Sequence, residues 1–204
     1  MDIKMPQLSK ELKVSFDIND EIVSEMEFKS VDITGYYPYT EIENSNFTGC
    51  SFENAIFQGL DLTNVSFSVT NLSNLQLTDH SYQQVLFENC TLVGINFSDS
   101  YLENVTFKNC NLAYSNFSAV NIKNVLFDNC NLKDSTFVNV KWKNFFFVDS
   151  DLQDTEFYNI VLKGIDFSTC NIKGIKLNIN KIKGLQVNYE QAINLSLLLG
   201  IEIK

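Results

Sequence analysis

Two adjacent stretches decide the fold: VTFKNCNLAYSNFSAVNIKN at residues 105–124 and VLFDNCNLKDSTFVNVKWKN at residues 125–144. Val, Phe, Asn, Cys, Leu, Phe and the final Asn return at the same places twenty residues on. VLFENCTLVGINFSDSYLEN at 85–104 stands before them in the same frame. A shorter period lies inside the longer one. Stepping by five from Phe47 to Val187 meets 29 large apolar residues in succession, with no insertion or deletion. A period of five is neither the 3.6 of a helix nor the 2 of a simple strand, so the chain must turn a corner every five residues.

The neighbouring columns complete the unit. Two places before each central residue stands a small or apolar one, as at Val65, Val85, Val105, Val125, Ser115, Ser135 and Ile165. Two places after it stands a turn former, as at Asn54, Gly59, Asn64, Asn74, Asn89, Gly94, Asn104, Asn109, Asn124 and Asn129. Asn and Gly tolerate left-handed backbone angles and close tight turns. Four pentapeptides therefore make the four sides of a twenty-residue coil, and coils stack like parallel strands about 4.8 Å apart. Residues 44–187 supply roughly seven coils, a rod on the order of 35 Å long. The expected core includes Phe87, Cys90, Leu92, Phe97, Phe107, Cys110, Leu112, Phe117, Phe127, Cys130, Leu132 and Phe137. Stacked Asn104, Asn124 and Asn144 are expected to bond to one another along the axis.

The small-Asn/Asp-Leu/Phe-x-x pattern, seen in CNL, SNF, VNI and DSTF, resembles the pentapeptide repeat protein family over most of the chain. That resemblance implies an all-β fold, a right-handed quadrilateral β-helix.

The ends depart from the pattern. In residues 1–43 a weaker five-step, Ile18, Val23, Phe28 and Ile33, runs one residue out of phase, which predicts a partial coil and then a bulge or loop near GYYPYT (35–40). This segment holds ten acids and four lysines. Residues 188–204 lose the period. Asn188 with Gln191 three places on is a capping-box arrangement, and Gly200 suits a helix stop. The expected helix places Tyr189, Ile193 and Leu197 on one face and Leu195, Leu198 and Leu199 on another; Ile201 and Ile203 are expected to form a short strand. A helix apolar on two sides has two surfaces to bury: the open end of the solenoid and, by expectation, a second copy of the chain. IKGIKLNINKIKGLQVNYEQAINLSLLLGIEI looks like the tail of the gyrase-protecting, quinolone-resistance type, the Qnr and MfpA group. There a C-terminal helix and strand join two rods head to head, and the protein binds type II topoisomerases as a mimic of duplex DNA.

Composition narrows the function classes. The formal charge is −10, from 25 acids and 15 bases, and every base is Lys. A nucleic-acid binder needs a basic surface and favours Arg for base contacts, so no direct nucleic-acid partner is expected. The acids concentrate early: residues 1–100 carry 15 acids and 4 lysines, residues 101–204 carry 10 and 11. No run reaches the roughly 18 apolar residues of a membrane span, and none suits a signal peptide's core, so a cytoplasmic protein with no membrane partner is expected.

Nothing in the sequence assembles an enzyme. Cys50, Cys90, Cys110, Cys130 and Cys170 are separated by multiples of twenty, so they share one inward column and cannot converge as zinc ligands need. His80 falls at an inward small position in the least regular stretch, TDHSY, with no nucleophile nearby. Asp149 with Asp151, and Asp154 with Glu156, lie on solvated sides. No catalytic residue, metal or cofactor is expected. Function is expected on the outer sides, where Leu86, Leu126 and Phe146 share a column beside Val148. The leading expectation is a non-enzymatic, homodimeric binder of DNA gyrase or topoisomerase IV that lowers fluoroquinolone sensitivity. The alternatives are a general protein-interaction scaffold and an immunity protein against a gyrase-targeting toxin.

Overall fold

From Thr34 onward strands pair at a constant offset of twenty residues. The computed structural model describes residues 3–9, 11–18, 21–198 and 200–202. Strands pair in parallel one coil apart, with Phe47 opposite Phe67, Phe67 opposite Phe87, Phe87 opposite Phe107, Phe107 opposite Phe127 and Phe127 opposite Phe147. The first strands are β1 (Lys13–Ser15), β2 (Ile22–Ser24), β3 (Met26–Lys29), β4 (Asp32–Tyr37), β5 (Thr40–Glu43), β6 (Asn46–Thr48), β7 (Ser51–Phe57) and β8 (Leu60–Ser68). Then come β9 (Ser81–Glu88), β10 (Tyr101–Lys108), β11 (Asn121–Asp128), β12 (Thr136–Val138), β13 (Lys141–Val148), β14 (Glu156–Tyr158) and β15 (Lys176–Leu177). The main sheet runs β1-β3-β6-β8-β9-β10-β11-β13, with β2 and β5 joined to it through β8. Single parallel bridges, such as Asn71 with Thr91 and Asn111 with Asn131, continue the stacking where full strands are absent. The result is a parallel β-solenoid of about 8 turns with one short C-terminal helix.

The interior is made of columns. Phe28, Phe47, Phe67, Phe87, Phe107, Phe127 and Phe147 stack face to face, with ring centroids 4.4–5.3 Å apart. A second column, Phe97, Phe117, Phe137 and Phe157, stacks likewise and meets the first edge-on, as for Phe107 and Phe117 at 6.1 Å and 82°. The strand spacing imposes the face-to-face distance, and the edge-on meeting sets positive ring edges against negative faces. All twelve core residues expected from the sequence are buried, Cys90 and Cys110 at 3% exposure and Phe107 and Phe127 at 0%. Fully burying each large side chain contributes about 1.5–3 kcal/mol.

Corners are held by the backbone. From Asn64 to Gly164 every fifth residue, twenty-one in succession, has a positive φ, between 47° and 92°. Most are Asn, Asp or Gly, but Val69 (52°), Gln84 (52°), Tyr114 (62°) and Ala119 (58°) are held there too. Asn54 and Gly59 are not among the positive-φ residues. The corner amides bond along the axis as expected: Asn144 Nδ2 donates to Asn124 Oδ1 at 2.7 Å, and Asn124 Nδ2 to Asn104 Oδ1 at 3.0 Å.

At the N-terminal end the offset is nineteen, Phe28 opposite Phe47, and becomes twenty at Thr34 opposite Asn54. The slip is a register shift between Asp32 and Thr34, just ahead of GYYPYT. One residue fewer in that coil accounts for the out-of-phase Ile18, Val23, Phe28 and Ile33, which are nonetheless buried. At the other end α1 (Tyr189–Leu197) carries the capping box: Asn188 accepts from the Gln191 N–H and Gln191 from the Asn188 N–H. Gly200, at φ 74°, stands just beyond the helix, and among the described residues that follow no strand forms; Leu199 and Ile203 lie outside them.

Phe107→Ala removes a ring stacked on both sides in a core with no slack, so it should cost about 3–5 kcal/mol. Urea unfolding followed by circular dichroism measures this; a loss below about 1 kcal/mol would contradict the packing described.

Candidate interaction surfaces

The cysteine column is a set of internal donors. Cys90, Cys110 and Cys130 direct their thiols at the carbonyls of Phe67, Phe87 and Phe107 in the preceding coil, at 3.3–3.4 Å. Thr70 and Ser150 make the same bond to Phe47 and Phe127. The column therefore selects small residues with a hydrogen to donate, a rule that interchanges Cys, Thr and Ser. Burial raises the thiols of Cys50 and Cys170, while the adjacent Cys110 sulfur and burial together raise Cys90 and Cys130. Held protonated, the thiols of Cys50, Cys90, Cys130 and Cys170 are poor nucleophiles. Among the described residues no group of three or more His, Cys, Asp or Glu is placed to hold a metal ion.

The C-terminal helix closes this series. Gln191, only 6% exposed, donates its Nε2 to the carbonyls of Phe167 at 2.8 Å and Cys170 at 2.7 Å. It supplies to the last Phe carbonyl what the next coil's Cys, Ser or Thr would have supplied. Asn188 adds a bond from Nδ2 to Ser168 O at 2.9 Å. Leu195 packs inward, whereas Tyr189 is 81% exposed, Leu197 and Leu198 56% each and Ile201 50%; Ile193 is half-buried. Beside the helix an open hollow of about 400 Å³ is lined by Ile172, Lys173, Gly174, Ile175, Asn194, Leu195 and Leu198. The helix thus seals the solenoid's polar end and leaves apolar side chains facing water.

His80 turns outward instead of packing inward. Its Nδ1 lies 3.4 Å from Asp61 Oδ1 and its Nε2 3.4 Å from Gln58 O. Asp61 also accepts from Tyr39 Oη at 3.1 Å and the Ser81 N–H at 2.8 Å. The ring lies over Gly59, where any Cβ would come within 2.9 Å of it.

The outer apolar column is real but interrupted. Leu86, Thr106, Leu126 and Phe146 stand in register, and Val148 stands opposite Asp128 in the next outward column. Leu86, Leu126, Phe146 and Val148 are half-buried, but Thr106 is 4% exposed. The cause is the N-terminal segment, which folds back along the rod. The Lys4 N–H donates to Asn104 Oδ1 at 3.4 Å, Thr106 Oγ1 meets Met5 Sδ at 3.6 Å, and the Gln7 N–H donates to Asn64 Oδ1 at 2.6 Å. Nothing in the five-residue frame signals this contact, because residues 3–9 carry no repeat.

Charge is arranged along the axis. Lys108 pairs with Glu88 at 2.9 Å, Lys123 with Glu103 at 2.5 Å and Lys176 with Glu156 at 2.8 Å, each across one coil. Being exposed, such pairs are worth about 0–1 kcal/mol each. Lys123 and Tyr101 hold the Glu103 carboxyl below the usual carboxylate range. Lys141, Lys143, Lys163, Lys181 and Lys183 have no carboxylate within 4.0 Å among the described residues. The rod is therefore acidic at its N-terminal end and carries uncompensated lysines near its C-terminal end.

Comparison with known proteins agrees with this geometry. The family model "Pentapeptide repeat region" matches residues 80–147 and 115–187, over half of the chain, and "Pentapeptide repeats (8 copies)" matches residues 43–79. A trypsin-treated variant of QnrB1, a plasmid-mediated fluoroquinolone resistance protein, superposes with a TM-score of 0.57 at 20% identity, over 94% of this chain and 96% of that one. A second trypsin-treated QnrB1 variant gives a TM-score of 0.50 at 21% identity, over 95% and 98%. No curated protein sequence matches the chain. The chain belongs to the pentapeptide repeat family, and its fold is that family's right-handed quadrilateral β-helix.

Proposed function

We propose that this protein binds a type II topoisomerase, DNA gyrase or topoisomerase IV, without catalysing a reaction itself, and that it lowers sensitivity to fluoroquinolones. The observation that carries this reading is the likeness to QnrB1, which spans 94% of this chain and 96% of that one. The tail's resemblance to the gyrase-protecting group and the −10 charge support it. A rod bearing carboxylates along its sides presents a topoisomerase with an outline and a field like those of duplex DNA. In this chain the mimicry belongs to the N-terminal end, where Glu21, Glu25, Glu27, Glu41 and Glu43 gather, and not to the lysine-bearing C-terminal coils.

The C-terminal segment makes the protein a head-to-head homodimer in this reading. Tyr189, Leu197, Leu198 and Ile201 are exposed and Ile193 is half-buried, Leu198 lines the open hollow beside the helix, and a second copy's helix is the self-complementary surface that covers them. Dimerisation places the acidic ends at the far tips of the assembly.

Two measurements check these statements. Purified protein at ~10 µM, a concentration that reveals ordinary protein–protein affinities, should bind gyrase and relieve fluoroquinolone inhibition of supercoiling; no binding and no effect on supercoiling with or without the drug would end the proposal. In light scattering the intact protein should run as a dimer and Leu197→Glu/Leu198→Glu as a folded monomer. Those two positions are used because deleting the helix would also remove the Gln191 seal. A monomeric intact protein would refute the dimer.

A further inference from the structure

We propose that the asparagine corner of the rod is a binding track for an extended peptide of a partner protein, held in the free protein by residues 3–9. The occupant is an extended segment with a cationic residue immediately before an apolar one.

The chemistry is visible in the chain's own segment. Asn64 clamps the peptide unit of Gln7 from both sides, accepting its N–H at 2.6 Å and donating Nδ2 to its carbonyl at 3.1 Å. The same Nδ2 donates to Asn44 Oδ1 at 2.7 Å, so ladder and peptide share one amide. Two coils along, Asn104 accepts the Lys4 N–H. The spacing fits: two coils rise about 9.6 Å, and three residues of extended chain, Lys4 to Gln7, span about 10 Å. Amides two coils apart, on either side of Gln84, thus meet every third residue of a chain laid along the axis through its backbone.

Side chains add selectivity. Met5 crosses Thr106, between Leu86 and Leu126 in the apolar column, where a thioether or aliphatic group is favoured over a charge. Lys4 extends the positive field at Glu103. The track is buried where Lys4 and Met5 lie: Asn104 is 7% exposed and Thr106 4%, while Asn64 beneath Gln7 is half-buried; one coil beyond Met5, Asn124 and Leu126 are half-buried, and Asn144 is exposed. The ladder continues through Asn124 and Asn144 with Phe146 alongside. A few bonds and one apolar contact hold residues 3–9, an arrangement that a better-fitting segment displaces.

This inference is independent of the topoisomerase reading. Its probe is a fluorescently labelled heptapeptide of residues 3–9, IKMPQLS, added to the full chain carrying Met5→Asp, which places a carboxylate against Thr106 in the apolar column and frees the track. Anisotropy should show saturable binding, roughly tenfold tighter than to the unaltered chain, whose own segment competes. Adding Asn64→Gly should weaken it by roughly tenfold. Gly164 and Gly184 occupy the same corner with positive φ, so the coil accepts glycine there, and an unchanged circular dichroism spectrum checks it. Absence of binding to the Met5→Asp chain, equal binding after Asn64→Gly, or equal binding of a scrambled heptapeptide would overturn the proposal.

Discussion

The left-handed corner is the constraint on which the rest of this structure depends. Placing an L-residue there costs about 1–2 kcal/mol, less for Asn and Asp and nothing for Gly. Val69, Tyr114 and Ala119 sit there with no local reason to do so. What holds them is the coil on either side. Val69 donates its N–H to Glu88 O at 3.0 Å, Tyr114 to Lys133 O at 2.9 Å and Ala119 to Val138 O at 2.7 Å. A net gain of about 0.5–1.5 kcal/mol per such bond does not offset a strained corner alone. Together with about 1.5–3 kcal/mol for each buried central side chain, it does. Stability therefore resides in stacking between coils, and a coil without neighbours would have little reason to close.

That economy leaves no interior for chemistry. Aromatic columns, aliphatic columns such as Leu92, Leu112 and Leu132, and a column of small residues fill the cross-section, and the hydroxyls or thiols of Cys50, Thr70, Cys90, Cys110, Cys130 and Ser150 are directed at a carbonyl of the previous coil. Recognition is left to the outer sides and the two ends. At one end Gln191 reproduces with a helical side chain the bond that coils make with Cys, Ser or Thr, so α1 is bonded to the last coil as a coil would be. At the other end the first residues return along the rod and read the asparagine ladder from outside.

Much of this is legible in the residues, because a solenoid writes its contacts at a fixed separation. Phe107 meets Phe127 for the same reason that it resembles it. The capping box at Asn188 and Gln191 is equally readable, being a local pattern four residues long. The nineteen-residue coil before Asp32 shows only as a phase slip, and its place depends on a bulge that the apolar pattern does not mark. The second role of Gln191 was hidden because its partners, Phe167 O and Cys170 O, are backbone atoms common to every residue. The Met5 contact with Thr106 was hidden because it joins positions 101 apart with no repeat between them. His80 occupies an inward position by frame, but its polar ring finds Asp61 and Gln58 outside, a polar preference that overrides the period.

The central claim is that within the regular coils after Thr34 the twenty-residue coil, and not the pentapeptide or the overall length, is the unit that must be kept whole. Deleting residues 125–144 joins Asn124 to Phe145 and removes one coil with every column in register. Deleting residues 125–143 removes one residue fewer and turns every later side chain out of its column. Urea unfolding followed by circular dichroism compares the two directly. The first should keep a cooperative transition and a β spectrum, and the second should lose the transition. Equal behaviour of the two chains would contradict the account.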